Sequence, residues 1–329
     1  MAYKIDNFEL DENNNEFNYA VNLVNKTNKL IYLTGKAGSG KTTFLKFIRE
    51  ITPKKTVVLA PTGVAALNAV GQTIHSFFKI APSIYLPDDY RLRKTFSPDD
   101  DNHSTIFDNF KYRKDRLKLI KSMELLIIDE ISMVRCDLLD LVDKLLRTFR
   151  EKEDLPFGGC QVLLIGDAFQ LPPIAQDDHW NLLKQHYKSP FFFDSHVLTK
   201  HKPHYIELKK IYRQKDDVFI NLLNNIRENN VSEEDMQLLN SRFIPTITKN
   251  QNLQFVTIAT HNRIVDEINN KKLAELNSEL KIYKAEVNGA CSGEFIVLDC
   301  LNGFNPDLLK YILHHRDFVS FANHKTSGD

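Results

Sequence analysis

Leu30-Ile31-Tyr32-Leu33-Thr34-Gly35-Lys36-Ala37-Gly38-Ser39-Gly40-Lys41-Thr42-Thr43 is the stretch on which the reading of this chain turns. An apolar run of strand length passes directly into G-x-x-x-x-G-K-T, the form of a phosphate-cradling loop between a strand and a helix. Gly38 and Gly40 permit backbone conformations closed to residues with a Cβ, so successive N–H groups can converge on phosphate oxygens. A helix starting near Lys41 adds its positive end, and the Lys41 ammonium can reach the outer phosphates of a nucleoside triphosphate. Thr42 offers a hydroxyl to Mg2+. Gly35, Ala37, Gly38, Ser39, Gly40, Lys41, Thr42 and Thr43 are therefore the candidate nucleotide ligands.

Outward from this loop, apolar runs alternate with helical patterns. Strands are expected at 31–34, 56–59, 125–128 and 162–165, and helices at 41–50, 63–69, 138–150 and 216–227. That alternation predicts an α/β fold with a parallel sheet flanked by helices. Between residues 81 and 122 the pattern breaks: Pro82, Pro87, Pro98 and Asp99-Asp100-Asp101 precede a basic stretch from Lys111 to Lys121, which is read as an insertion. The basic stretch itself reads as a solvated helix face. A second block is expected from about His201, with strands at 205–208 and 255–259 and helices near 232–241 and 263–276.

The 329 residues are enough for two domains with sizeable cores. No apolar run approaches the length of a membrane span and the opening Met1-Ala2-Tyr3-Lys4-Ile5-Asp6 lacks a signal-peptide core, so no membrane partner is expected. Cys136, Cys160, Cys291 and Cys300 lack metal-ligand spacing and read as reduced packing residues. The formal net charge is zero, so any nucleic acid must be held by a local basic groove rather than by a global field.

The carboxyl ends of later strands carry further chemistry. Leu125-Leu126-Ile127-Ile128-Asp129-Glu130 is an apolar strand ending in two acids, which a parallel sheet delivers to its ligand-binding edge. Asp129 can hold Mg2+ beside Thr42, and Glu130 can orient or deprotonate an attacking water. Leu164-Ile165-Gly166-Asp167-Ala168-Phe169-Gln170-Leu171-Pro172-Pro173 is a second such end, where Gln170 can contact a γ-phosphate or the water. Arg213 carries a guanidinium able to neutralise charge on a transferring phosphoryl group, although in isolation an arginine after a short basic run is more often a solvated side chain.

Taken in order, these motifs resemble those of the Pif-type (petite integration frequency) DNA helicases, in the RecD-like branch of superfamily one. Gly35–Thr42, Ala60-Pro61-Thr62-Gly63-Val64-Ala65-Ala66, Thr73-Ile74-His75-Ser76-Phe77 and Ile128-Asp129-Glu130-Ile131-Ser132-Met133 match successive segments of that family. So do Leu155-Pro156-Phe157-Gly158-Gly159-Cys160-Gln161, Tyr212-Arg213-Gln214 and Thr260-His261-Asn262-Arg263. The resemblance spans roughly residues 18–280. It implies two RecA-like lobes, residues 1–200 and a partial lobe at 201–287, with ATP between them. It also implies Arg213 as the arginine finger, single-stranded DNA crossing both lobes with 5′→3′ translocation, unwinding of duplex or forked DNA, and roles in repair, recombination or telomere maintenance. Pro61, Thr62, His75, Phe77, Thr260, His261 and Asn262 become candidate DNA contacts by this likeness. From the residues alone, they read as loop polarity plus a core Phe77. A monomer is expected, nucleoid-associated in the cytoplasm of a bacterium, or nuclear or mitochondrial in a eukaryote.

Two departures stand out. The adenine-reading glutamine of many relatives has no counterpart, since no Gln precedes the loop, and an asparagine of the lead-in is the nearest substitute. After about Val287 the likeness ends. Residues 288–329 are expected to be a divergent tail, with a truncated or shortened family member that binds ATP and DNA without unwinding as the alternative reading.

Overall fold

The computed structural model describes residues 14–95, 104–212, 216–243, 258–274, 282–284 and 297–299. Its elements begin with α1 (Asn15–Lys26), β1 (Ile31–Gly35), α2 (Lys41–Ile51), β2 (Thr56–Ala60), α3 (Gly63–Asn68), β3 (Gln72–Thr73) and α4 (Ile74–Phe78). There follow α5 (Ile106–Asn109), α6 (Lys114–Ser122), β4 (Leu125–Ile128), α7 (Cys136–Phe149), β5 (Gln161–Ile165), α8 (Asp177–Leu183), α9 (His196–Lys200) and β6 (His204–Leu208). The last are α10 (Asp217–Arg227), α11 (Glu233–Ser241), α12 (Asn262–Ala274), β7 (Ile282–Lys284) and β8 (Val297–Asp299).

Six strands form one sheet in the order β3-β2-β4-β5-β1-β6, and every neighbouring pair is parallel. The central strands β4 and β5 are buried at every residue, the continuous apolar run that a sheet covered on both faces requires. Alternation within them feeds two cores. Leu126, Ile128, Val162 and Leu164 join the helices of one face, including α7. Ile31, Leu33, Leu125, Ile127, Leu163 and Ile165 meet Phe44, Leu45, Phe47 and Ile48 of α2 and Phe17 of α1 on the other. Because all strands run the same way, Gly35, Ala60, Ile128 and Ile165 end at one edge, and the motifs that follow them are gathered there.

The segment read as an insertion packs onto the first core rather than standing apart from it. Tyr85, Leu92, Ile106, Phe110 and Ile120 are buried in that cluster. It is tied to the Phe157-Gly158-Gly159 turn by Arg150, whose guanidinium donates to Ile120 O at 2.7 Å, Met123 O at 2.7 Å and Gly158 O at 2.8 Å. Gly158 sits at φ +59°, and a Cβ there would lie 2.5 Å from Leu146 O, so α7 and the turn pack too closely for any other residue.

One assignment is corrected. The strand at 205–208, read as the opening of a second block, pairs with β1 from Ile31↔His204 to Gly35↔Leu208 and forms the edge of the first sheet. As an edge strand it buries one face, through Ile206 and Leu208. The chain divides into two units, Met1–Ser241 and Arg242–Asp329, so β6, α10 and α11 belong to the first. In the second, the described residues form α12 and the antiparallel pair β7–β8. Most of the strand expected at 255–259 lies outside the described residues. No helix among the described residues is long and apolar enough to cross a membrane.

Candidate active site

A cleft of about 760 Å3 opens at the carboxyl edge of the sheet, lined in part by Gly38, Gly40, Lys41, Thr42, Glu130 and Gln170. Ala37 and Thr43 also line it. Gly35, the last residue of β1, and Ser39 lie beneath and are buried. The loop adopts the form its glycines foretell: Gly38 and Gly40 take φ of +81° and +93°, and Gly40 caps α2 from the left-handed region. The Ser39 hydroxyl is buried with no hydrogen-bond partner. An unpaired buried donor is costly, and a phosphate oxygen would satisfy it, so this cradle fits a polyphosphate.

Lys41 turns its ammonium back into the loop, donating to Gly35 O at 2.6 Å and Lys36 O at 3.3 Å. Burial pulls it below the ordinary lysine value, while the nearby charges of Asp167, Glu130 and Asp129 act in the opposite sense. Asp129 ends β4 with its N–H bonded to Leu59 O at 2.9 Å. Burial, then the neighbouring Glu130, pushes its carboxyl up to about 6, well above a solvated aspartate. A destabilised carboxylate at this sheet edge, together with the Thr42 hydroxyl that lines the cleft at the start of α2, is the donor chemistry a hydrated divalent cation takes. Among the described residues no cluster of three or more His, Cys, Asp or Glu forms a self-sufficient metal cage. Glu130 sits at φ +51°, a region non-glycine residues enter rarely and mostly at functional positions, and it faces the cleft.

Three lining residues were not assigned roles by sequence. Tyr212 is held by its N–H bond to Gly38 O at 2.9 Å, with its ring beside Gly40. Asn14 is buried, and both ends of its amide are engaged: Oδ1 accepts Phe17 N–H at 3.0 Å and Nδ2 donates to the Tyr212 hydroxyl at 2.8 Å. The expected asparagine is thus present in the cleft, but its amide caps α1 and anchors Tyr212. Phe17 is the third, packed edge-on against Phe44. A smaller hollow of about 310 Å3 contains Asp137, Asp140 and Asp143. Those acids serve the fold: Asp137 pairs with Arg135, Asp140 accepts the N–H groups of His196 and Val197, and Asp143 accepts Phe157 N–H.

The profile of PIF1-like helicases matches residues 10–237, the part of the chain that carries this cleft. The chain belongs to the PIF1-like helicase family. ATP-dependent DNA helicase RRM3 of Saccharomyces cerevisiae is 31% identical over 273 residues, covering 82% of this chain and 34% of the relative. A Bacteroides Pif1 helicase solved with ADP-AlF3 and single-stranded DNA is 38% identical with a TM-score of 0.70, covering 84% of this chain and 60% of that one. A structure of two coordinating Pif1 helicases at forked double-stranded DNA is likewise 38% identical, with a TM-score of 0.71 over 86% of this chain and 64% of that one. The chain spans about a third of the length of the yeast relative.

Within this PIF1-like frame the other expected residues scatter. Pro61 and Thr62 follow β2 at the same sheet edge, half-buried, with the Thr62 hydroxyl accepting Ala65 N–H at 3.3 Å as the cap of α3. His75 is half-buried on α4. Phe77 is a correction: it is 1% exposed, edge-on to Phe78 at 4.8 Å and under the Arg116 guanidinium at 4.9 Å, so its ring belongs to the core and cannot stack on a base. Thr260, His261 and Asn262 begin α12 in the second unit, where Thr260 Oγ1 and His261 Nδ1 lie 2.9 Å apart. Arg213 lies outside the described residues.

Proposed function

We propose that this chain is the ATP-hydrolysing part of a Pif-type DNA helicase that couples turnover to 5′→3′ movement on single-stranded DNA and to unwinding of duplex or forked DNA. The observation that carries the reading is the convergence of Lys41, Glu130 and Gln170, from three separate strand ends, on one polyphosphate-shaped cleft. Lys41 neutralises the outer phosphates. Thr42 and Asp129 would hold Mg2+, which would supply charge compensation for the phosphates. Glu130 orients a water and takes its proton. Gln170 reports occupancy of the γ-phosphate position, and Arg213 supplies a second guanidinium to the transferring group. The Pro61-Thr62 segment, His75 and the Thr260-His261-Asn262 segment contact the strand backbone. The protein acts as a monomer, in the nucleoid of a bacterium or in the nucleus or mitochondrion of a eukaryote.

ATPase assays on the 329-residue chain with and without single-stranded DNA test this reading. Stimulation by DNA is expected, together with strand separation of a 5′-tailed duplex; hydrolysis indifferent to DNA would sink it. Glu130→Gln is expected to keep nucleotide affinity and lower kcat roughly a hundredfold, because only the proton-accepting group is lost. A parallel loss of ADP binding in that variant would assign Glu130 to the cradle instead.

A further inference from the structure

The C-terminal turn of α10 reaches back to two of the loops that carry cleft-lining residues. Arg227 forms a forked pair with the Asp167 carboxylate, Nε to Oδ2 at 3.0 Å and Nη2 to Oδ1 at 2.8 Å. The next residue, Glu228, pairs with Lys36 of the phosphate loop at 3.2 Å. Asp167 is the hub of the turn that carries Gln170. Its Oδ1 accepts Phe169 N–H at 3.1 Å, its main-chain carbonyl accepts Gln170 N–H at 2.9 Å, and its Oδ2 lies 3.4 Å from Gln170 Nε2. The Arg227 guanidinium also covers the Phe169 ring at 4.2 Å. Two residues of the turn, Asp167 and Phe169, are therefore held by one side chain from another element, and Asp167 in turn bonds Gln170.

The carboxylate is buried and its partner half-buried: the Asp167 side chain is 1% exposed and that of Arg227 16%. A buried carboxylate needs a partner, and a planar fork satisfies both of its oxygens with a single side chain. Gln170 itself is exposed and lines the cleft, so the turn is rigid at its root and open at its tip. That is the arrangement of a residue that must hold one geometry against a ligand while its support stays dry.

We propose that Arg227 is a positioning residue for nucleotide hydrolysis, holding Asp167 and Phe169 so that the turn presents Gln170 to the terminal phosphate. The proposal rests on the ATPase reading above and extends it to a residue that does not line the cleft.

The test compares the full chain with Arg227→Gln, Arg227→Lys and the doubly neutral Arg227→Gln/Asp167→Asn. Four quantities are measured: affinity for fluorescent ADP, affinity for ADP with aluminium fluoride, steady-state ATP turnover, and amide hydrogen exchange over 166–171 without nucleotide. Arg227→Gln is expected to bind ADP within about twofold of the unaltered chain yet lose roughly tenfold or more of the preference for the fluoride complex, with kcat falling and KM little changed. Exchange at 166–171 rises in Arg227→Gln; Arg227→Lys recovers part of both effects, since it restores charge without the fork. The double variant folds without a buried unpaired charge and still lacks the preference. Unchanged exchange, an unchanged fluoride preference, or loss of ADP binding in step with it would overturn the proposal. If the unaltered chain shows no turnover at all, the ATPase reading fails, and the exchange comparison still decides whether Arg227 holds the turn.

Discussion

Lys41→Ala is expected to lower ATP turnover by on the order of a thousandfold while the chain stays folded. The size follows from what surrounds the ammonium. Asp129, Glu130 and Asp167 all act electrostatically on Lys41, so the floor of the cleft is acidic wherever this cation is missing. A triphosphate entering the altered cleft would meet Asp129 and Glu130 without the ammonium that offsets them, while Asp167 keeps its Arg227 partner, in a partly dry site where charge interactions are stronger than in water. The loss therefore falls on binding of the terminal phosphates and on the transition state together, and kcat/KM drops further than kcat alone. The fold should not suffer, because Lys41 gives the loop only its bonds to Gly35 O and Lys36 O, and water can replace it at both. Thermal unfolding and DNA-stimulated ATPase on the same preparation check both halves. Turnover within tenfold of the unaltered chain would place the phosphates elsewhere.

The cradle and its two strand ends were legible because their chemistry is local. A run such as Leu125–Ile128 is apolar at every position only when covered on both faces, and its parallel direction then dictates where Asp129 and Glu130 emerge. The edge strand at His204–Leu208 was assigned to the wrong block for an equally physical reason. Its one-sided burial looks the same whichever sheet it borders, and only the register with β1 decides. Phe77 read as a core ring from the residues alone and became a candidate strand contact only by the family likeness; its burial at 1% exposure agrees with the first reading and corrects the second. Arg227 carried no signal at all. An arginine in the last turn of a helix is what the helix dipole favours on any surface, and its pairing with Asp167, sixty residues away in sequence, exists only in three dimensions.

The Phe157-Gly158-Gly159 turn carries the second large effect, and the structure makes it one of stability rather than chemistry. Phe157 is 1% exposed, sits at the unusual φ of +52°, and has its N–H bonded to Asp143 Oδ1 at 2.5 Å. A left-handed phenylalanine persists only where burial over-determines it, and here the ring belongs to the core under α7. Phe157→Ala leaves the backbone in the same unfavourable region and opens a cavity, a loss of about 3–5 kcal/mol. For a unit of this size that corresponds to a fall in melting temperature of roughly 10 °C. Phe157→Leu, which keeps most of the volume, is expected to cost less than half as much. Below the melting transition, both variants should bind ADP as the unaltered chain does, since neither residue nor turn lines the cleft. A Phe157→Ala protein that melts normally but fails to hydrolyse ATP would reverse the assignment and make the turn part of the motor's moving machinery.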